Sequence, residues 1–517
     1  MLRIPSQVGR SGALVSVIAV SVFFLIGLIP AMSHCAQMSD ADITLVVQER
    51  LASDAATGGH KIEVITDDGV VALSGMVDNI LAKERAARLA ETIRGVRSVV
   101  NNISVWTPER SDAQIRADVM MALATNPATG PWGIEMDVAD GVIALRGGVN
   151  SWYEKQLAQK VAGSVSGVKD VVNEITVDYE QDRPDSEIAA EIRERLRWDV
   201  LVDDELIDIS VVDGMVALSG IVGSAAEKRY AVSDAWVANV GDVKADDLKV
   251  ESWARDERFR KTKYLPKEDE DIEGALADAL FYDPRVAATD IMVMIDSGDV
   301  SLSGKVDNLK AKRAASQVAH NTVGVWTVEN VIDVVPGEDR PDSAIAADVR
   351  KALKRDPYVG AYNTVVTVSD GTVRISGSVD SYFDKAQADD IAAQVGGVAA
   401  VDNRLAVDAP AGALVYDRHI DHDWWYPYNY DWYEVPGDVG IAYADSAIEQ
   451  MVEDELWWSP FVDAEEINVD VENGVVTLTG TVGTWTERIE ATARAYKGGA
   501  AAVENALIVD LGPDSYE

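Results

Sequence analysis

Cations, cysteine and histidine are what this chain has least of. Its single cysteine, Cys35, excludes a disulfide framework within 517 residues. Lys plus Arg number 46 against 87 Asp plus Glu, a net charge of −41. Such a balance argues against a nucleic-acid partner, because neutralising phosphates needs clustered cations. Catalytic signatures are missing too: there is no Gly-rich phosphate loop, no HExxH, no GxSxG and no credible catalytic cysteine. Scattered Asp and Glu pairs read as solvated helix faces rather than acid/base pairs. The expectation is a chain that is not an enzyme and takes no cofactor.

Apolar residues are in ordinary supply, at 47%, which excludes extended disorder. One long apolar run exists, from Ala13 to about Met32, preceded by Arg3 and Arg10 and with no acidic residue before Asp40. That is the layout of an export signal. Ala31, Ser33 and Cys35 offer small residues for cleavage, yet the run is nearly long enough to span about 30 Å of hydrocarbon. Residues 1–36 are therefore read as a signal sequence or membrane anchor. The expected location is the periplasm, attached to the inner membrane if the helix is uncleaved. His34, directly before Cys35, departs from the lipoprotein pattern.

Length alone predicts three or four domains at about 150 residues each, but internal repetition gives a finer division. Glycines six residues apart recur six times: Gly69 and Gly75, Gly141 and Gly147, Gly214 and Gly220, Gly298 and Gly304, Gly371 and Gly377, Gly474 and Gly480. The text around them reads DGVVALSG, DGVIALRG, DGMVALSG, SGDVSLSG, DGTVRISG and NGVVTLTG. Asp-Gly or Asn-Gly between alternating apolar runs predicts a hairpin, since both residues tolerate positive φ. The second and fourth residues after the first glycine are always aliphatic, as in Val71 and Leu73, so one face is buried.

Before each hairpin a helical stripe recurs at i, i+4 and i+8, beginning with Ile43, Val47 and Leu51 and ending with Ile448, Val452 and Leu456. Ser39 with Asp42 and Ser111 with Gln114 resemble capping boxes, and Asp185 and Asp342 are expected to accept first-turn N–H groups. After the hairpin, Asp78, Asn150, Asp307 or Asp380 is placed to cap a second, Ala-rich helix. Trp152, Tyr382 and Trp485 open that helix in three units, as interface residues or as hydrophobic contacts at the helix start. In five units the helix ends near a glycine such as Gly95, and an Asn follows six residues later with strand-like alternation, as in Asn101, Ile103 and Val105. In unit 3 the matching Asp246, Leu248 and Val250 come one residue early after Gly241, which predicts a shorter turn.

Each unit is thus α-β-β-α-β over about 67 residues, two helices covering a three-stranded sheet in an α+β fold. These units resemble BON domains, the module named after bacterial OsmY and nodulation proteins. The resemblance covers six units: 39–106, 111–178, 185–251, 268–335, 342–408 and 445–510. It rests on the helix stripe, the (Asp/Asn)-Gly-x-Val-x-Leu-x-Gly hairpin and the late Gly-Val…Asn strand. What it implies is a non-enzymatic exported module associated with phospholipid membranes, envelope integrity and osmotic-stress protection, and sometimes with partner proteins. It brings no catalytic residues.

Two connections stand apart. Residues 252–267 form the basic aromatic linker, with Arg255, Arg258, Arg260, Lys261, Lys263 and Lys267 among Trp253, Phe259 and Tyr264. Such a stretch fits contact with anionic lipid head groups, or else a tether held by salt bridges to acidic units. The insertion at 409–444 places His419, Asp421, His422 and Asp423 together, a weak pattern for a divalent cation against a solvated loop. Its Trp424, Trp425, Tyr426, Tyr428, Tyr430, Trp432 and Tyr433 fit a membrane interface, sugar stacking or packing on other units. The leading expectation is an exported protein that binds and stabilises phospholipid surfaces. The alternative is a modular scaffold for envelope proteins or glycans, and divalent cations are a further partner class.

Overall fold

Every hairpin turns on two consecutive residues with positive φ. Asp68 lies at 48° and Gly69 at 71°, and the same pairing recurs down to Asn473 and Gly474 at 53° and 76°, the geometry that matches the twist of antiparallel strands. Gly75 serves a different need. At φ 127° a Cβ there would lie 2.3 Å from the Lys61 carbonyl oxygen, so only glycine lets the two hairpin strands approach.

The computed structural model describes residues 38–179, 183–255, 263, 267–286, 291–335, 340–408 and 443–509. Residues 1–36, where the sequence reading places a signal sequence or anchor, lie outside them. In unit 1 the opening helix is Asp40–Ser53, the hairpin strands are Lys61–Asp67 and Val70–Val77, the second helix is Ile80–Glu91 and the last strand is Ser98–Val105. The middle strand pairs antiparallel with the first and parallel with the last, so Gly75 stands between Ile62 and Ile103. That order holds in all six units, with the last strand split in unit 2 (Asp170–Asn173, Thr176–Val177) and unit 4 (Thr327–Asn330, Asp333–Val334). The fold is the expected α+β array of three-stranded sheets, each covered by two helices. Val71, Leu73 and their counterparts are fully buried, with Ile43, Val47 and Leu51 across from them.

Capping differs from expectation in two places. Ser39 and Ser111 cap as predicted, Ser111 in a full capping box. The second helices, however, are capped one residue later, by Asn79, Ser151, Asn308 and Ser381, because that residue leaves the strand with extended φ and ψ and brings its side chain under the first turn. Asp185 and Asp342 are not caps at all. They occupy the first helical position, and their carboxylates reach across to the hairpin turn, accepting from the N–H groups of Asp213 and Gly214, and of Asp370 and Gly371. Asp40, Asp112, Asp269 and Asp445 do the same in the other units.

The late Asn ties its strand to the second helix: Asn101 donates to the Lys83 carbonyl at 2.7 Å and Asn403 to that of Lys385 at 2.8 Å. Unit 3 lacks it and uses Lys228, whose Nζ donates to the Leu248 carbonyl at 2.7 Å. Nor is its turn shorter. Asn239 at φ 69° takes the glycine's place, and the extra residue before Leu248 is absorbed as a bulge between Lys244 and Asp247 opposite Ala217 and Ser219.

The units are not beads on a string; everything from Ser39 onward clusters as one compact body. Equivalent backbone bonds join the units in pairs, first with last and inward to the two central ones. The Arg94 N–H donates to the Trp458 carbonyl, linking units 1 and 6. Ser166 donates to Arg355 and Gly396 to Thr125, linking 2 and 5, while Val323 donates to Trp198 and Val200 to Asn321, linking 3 and 4. Side chains add further joints: Arg50 to Glu455 at 2.8 Å, Arg229 to Glu91 at 2.8 Å and Arg313 to Asp389 at 2.7 Å. The second helices are therefore covered on both sides, by their own sheet and by other units. In unit 5 even Asp389 and Asp390 are buried.

Candidate functional site: a cavity where three units meet

The opening helix of unit 3 (Asp185–Trp198), its second helix (Ala225–Asp234), the start of the second helix of unit 2 (Trp152–Gly163) and the opening helix of unit 4 (Asp269–Tyr282) enclose a cavity of about 670 Å³. Aromatic residues form one side. Trp152 stacks on Trp236 with centroids 5.0 Å apart and planes 5° from parallel, so this helix-opening tryptophan is an interface residue. Tyr153, 2% exposed, donates its hydroxyl to the Ser233 carbonyl at 2.9 Å and accepts from Arg195 at 3.2 Å. Burial raises the phenol pKa above its ordinary value, so it stays protonated. Arg195 lies over the Tyr153 and Tyr282 rings. Tyr382 is half-buried, and the Trp485 side chain lies outside the described residues.

Charge on the walls is unequal. Seven carboxylates and four arginines line the cavity. Each arginine has an acidic partner: Arg195 with Glu191, Arg197 with Glu194, Arg229 with Glu91, Arg285 with Asp283. Asp199 and Asp234 face each other. Burial first, and for Asp234 the neighbouring Asp199 charge next, raises both pKa values above the ordinary carboxylate value. Asp199 accepts from the Leu201 N–H at 2.7 Å, but Asp234 Oδ2 is buried with no hydrogen-bond partner.

The linker residues fare differently. Lys263 is 4% exposed, its Nζ donating to the carbonyls of Leu196 and Val202 and lying 3.2 Å from Asp204. It is a structural anchor and is not at the surface to meet lipid: three acceptors match its three protons at the end of a helix, where cations are favoured. Lys267 is half-buried, with burial, Arg197 and Lys263 holding its pKa below the ordinary lysine value. Arg258, Arg260, Lys261 and the Arg255 side chain lie outside the described residues. So does the insertion through residue 442, with His419, Asp421, His422, Asp423 and the aromatic residues from Trp424 to Tyr433. Among the described residues no group of three or more His, Cys, Asp or Glu is disposed to hold a metal ion, and no helix is long and apolar enough to cross a membrane. The sequence pointed to Trp152 but to nothing else in the cavity, because the other walls come from units whose pairing no local pattern encodes.

Comparison with known proteins agrees with the fold. The chain matches the BON domain at residues 39–106, 111–179, 184–252, 268–336, 341–409 and 444–510. It belongs to the BON domain family. Osmotically-inducible protein Y of Escherichia coli K12 is 31% identical over 145 residues, 27% of this chain and 72% of that protein. The outer membrane lipoprotein DolP of Haemophilus influenzae is 27% identical over 143 residues, 26% of this chain and 73% of the relative. Among solved structures, CdsD, a structural protein of the type III secretion system of Chlamydia trachomatis, covers 40% of this chain at 18% identity and a TM-score of 0.12. The motif glycines, Gly69 and Gly75 with their counterparts, are structural residues of this six-BON chain, not ligands.

Proposed function

We propose that the protein is a non-enzymatic, exported BON-domain protein of the cell envelope that binds and stabilises phospholipid surfaces under osmotic or envelope stress. Kinship with an osmotically inducible protein and an outer membrane lipoprotein supports the setting. The observation that carries the surface contact is on unit 4. With the helices turned inward, its sheet turns outward, and Met292 and Met294 are 62% and 63% exposed on one strand, a pair of flexible apolar side chains suited to a lipid or protein surface. The net charge of −41 opposes wholesale attraction to anionic lipid, so contact is local, with Ca²⁺ as a bridge and Arg258, Arg260 and Lys261 as the cations. Periplasmic location follows from the leader in this reading.

Co-sedimentation with vesicles of defined anionic content, with and without Ca²⁺, tests it. The expected result is binding that rises with anionic lipid and weakens when Met292 and Met294, or the three linker cations, become Ser. No binding under any condition overturns the lipid reading and favours a scaffold for envelope proteins.

A further inference from the structure

We propose that the cavity between units 2, 3 and 4 is a binding site for a small aliphatic organic cation, of the polyamine or quaternary ammonium class. Its volume of about 670 Å³ lies in the range of small-molecule sites. The lining excludes the main alternatives. An anion would need cations without a counter-charge, yet each of the four lining arginines lies 2.5 to 3.6 Å from a carboxylate, and among the described residues no lysine or histidine lines the walls. The other five carboxylates, Asp199, Asp234, Glu270, Asp271 and Asp278, form no ion pair among the described residues. A wholly apolar ligand would leave Asp234 Oδ2 buried and unpartnered, a cost a donor from the ligand removes.

The aromatic wall supplies the other half of the recognition. Trp152 is fixed by its stack on Trp236, and Val232, Ala275 and Leu201 add aliphatic surface. The walls already attract positive charge within the chain, since Arg195 sits 5.0 Å from the Tyr282 centroid and 5.7 Å from that of Tyr153. Ammonium groups on a short aliphatic body satisfy both features: charge toward Asp234 and Asp199, methylenes or methyls toward the indole. The rim formed by Glu270, Asp271 and Asp278 on unit 4 is exposed and draws cations inward.

Isothermal titration calorimetry on the full chain with spermidine and with choline tests the site, at about 0.15 M NaCl, where the Debye length of about 8 Å suppresses diffuse surface attraction. Saturable binding of one equivalent is expected for at least one of the two. Asp234→Asn weakens it tenfold or more, Asp278→Asn on the exposed rim weakens it severalfold, and Asp470→Asn, on the exposed hairpin of unit 6, leaves it unchanged. Asp278→Asn keeps the test decisive should Asp234→Asn fail to fold. No saturable binding of either cation, or binding that is indifferent to the cavity variants, overturns the proposal.

Discussion

Replacing Lys263 by Ala separates structure from membrane contact inside one linker. The Lys263 ammonium group donates to the Leu196 carbonyl at 2.6 Å and to that of Val202, and pairs with Asp204 at 3.2 Å. Leu196 and Val202 are buried, at 0% and 1% exposure, so water cannot replace the lost donor. Each buried carbonyl left unmet costs roughly 1–3 kcal/mol, and Asp204 loses its counter-charge. A total of about 3 kcal/mol corresponds to a roughly 100-fold rise in local opening of unit 3. Hydrogen exchange resolved by peptide is the right assay, because six cores need not unfold as one transition. Protection should fall around Arg195–Asp204 in Lys263→Ala and stay unchanged in units 5 and 6, while Arg258→Ser with Arg260→Ser and Lys261→Ser leaves unit 3 protection intact. Unchanged protection in Lys263→Ala, with loss of liposome binding instead, would refute the reasoning.

Asp342→Ala removes two charge-assisted bonds to the hairpin turn, at 3.0 and 3.1 Å; with the turn part-exposed the loss is about 1–2 kcal/mol. Faster exchange at Asp370 and Gly371, with Asp342→Asn showing a smaller effect, is the expected readout. Asp356 is buried, and burial outweighs its bonds from Tyr358, Val359 and Gln387 to push its pKa up from 3.8 to about 6. A carboxyl raised in the folded state contributes stability below its unfolded pKa that is lost as pH rises toward 6, a change of about 3 kcal/mol. Asp356→Asn should therefore gain on the parent in thermal unfolding between about pH 4 and 6, and a difference independent of pH would count against this.

The hairpins were legible because turn chemistry is local: Asp-Gly with alternating Val and Leu needs no tertiary information to be read. The helix stripes were legible for the same reason. What stayed hidden depends on distance. Asp40, Asp112 and their counterparts sit where acidic residues are common on any helix, and their real partners lie 28 and 29 residues on. For Lys263 the linker sequence allows both lipid contact and a tether to an acidic unit, and its pairing with Asp204 fits the tether; the Leu196 and Val202 carbonyls that complete its binding were not legible, since composition does not tell a lysine aimed at a helix end from one aimed at solvent. The cavity was least legible of all: Trp152 stood out as an unusual helix opener, but Asp199, Asp234 and Tyr282 resemble ordinary helix-face residues until units 2, 3 and 4 are brought together.

The pairing itself leads to one more expectation. Contacts join units 1 with 6, 2 with 5 and 3 with 4, so the halves 1–3 and 4–6 run past each other in opposite order. The order of contacts reverses between units 3 and 4, and Lys263, from the segment between them, is bonded to unit 3. If each half is viewed as a copy of the other, these contacts become 1 with 3, 2 with 2 and 3 with 1, the self-complementary pattern of a two-fold dimer. A fragment ending at Lys267 keeps the contacts within its half, such as Trp152 on Trp236 and Arg229 with Glu91, but uncovers the surface that units 4 to 6 normally bury. Residues 38–267 should therefore form a dimer in sedimentation experiments. Arg94 and Ser166, whose N–H groups lose the acceptors on Trp458 and Arg355, would then be protected from hydrogen exchange only as the dimer fills. A fragment that stays monomeric at high concentration with those amides protected would mean that the halves are held by linker geometry alone, and not by matched surfaces.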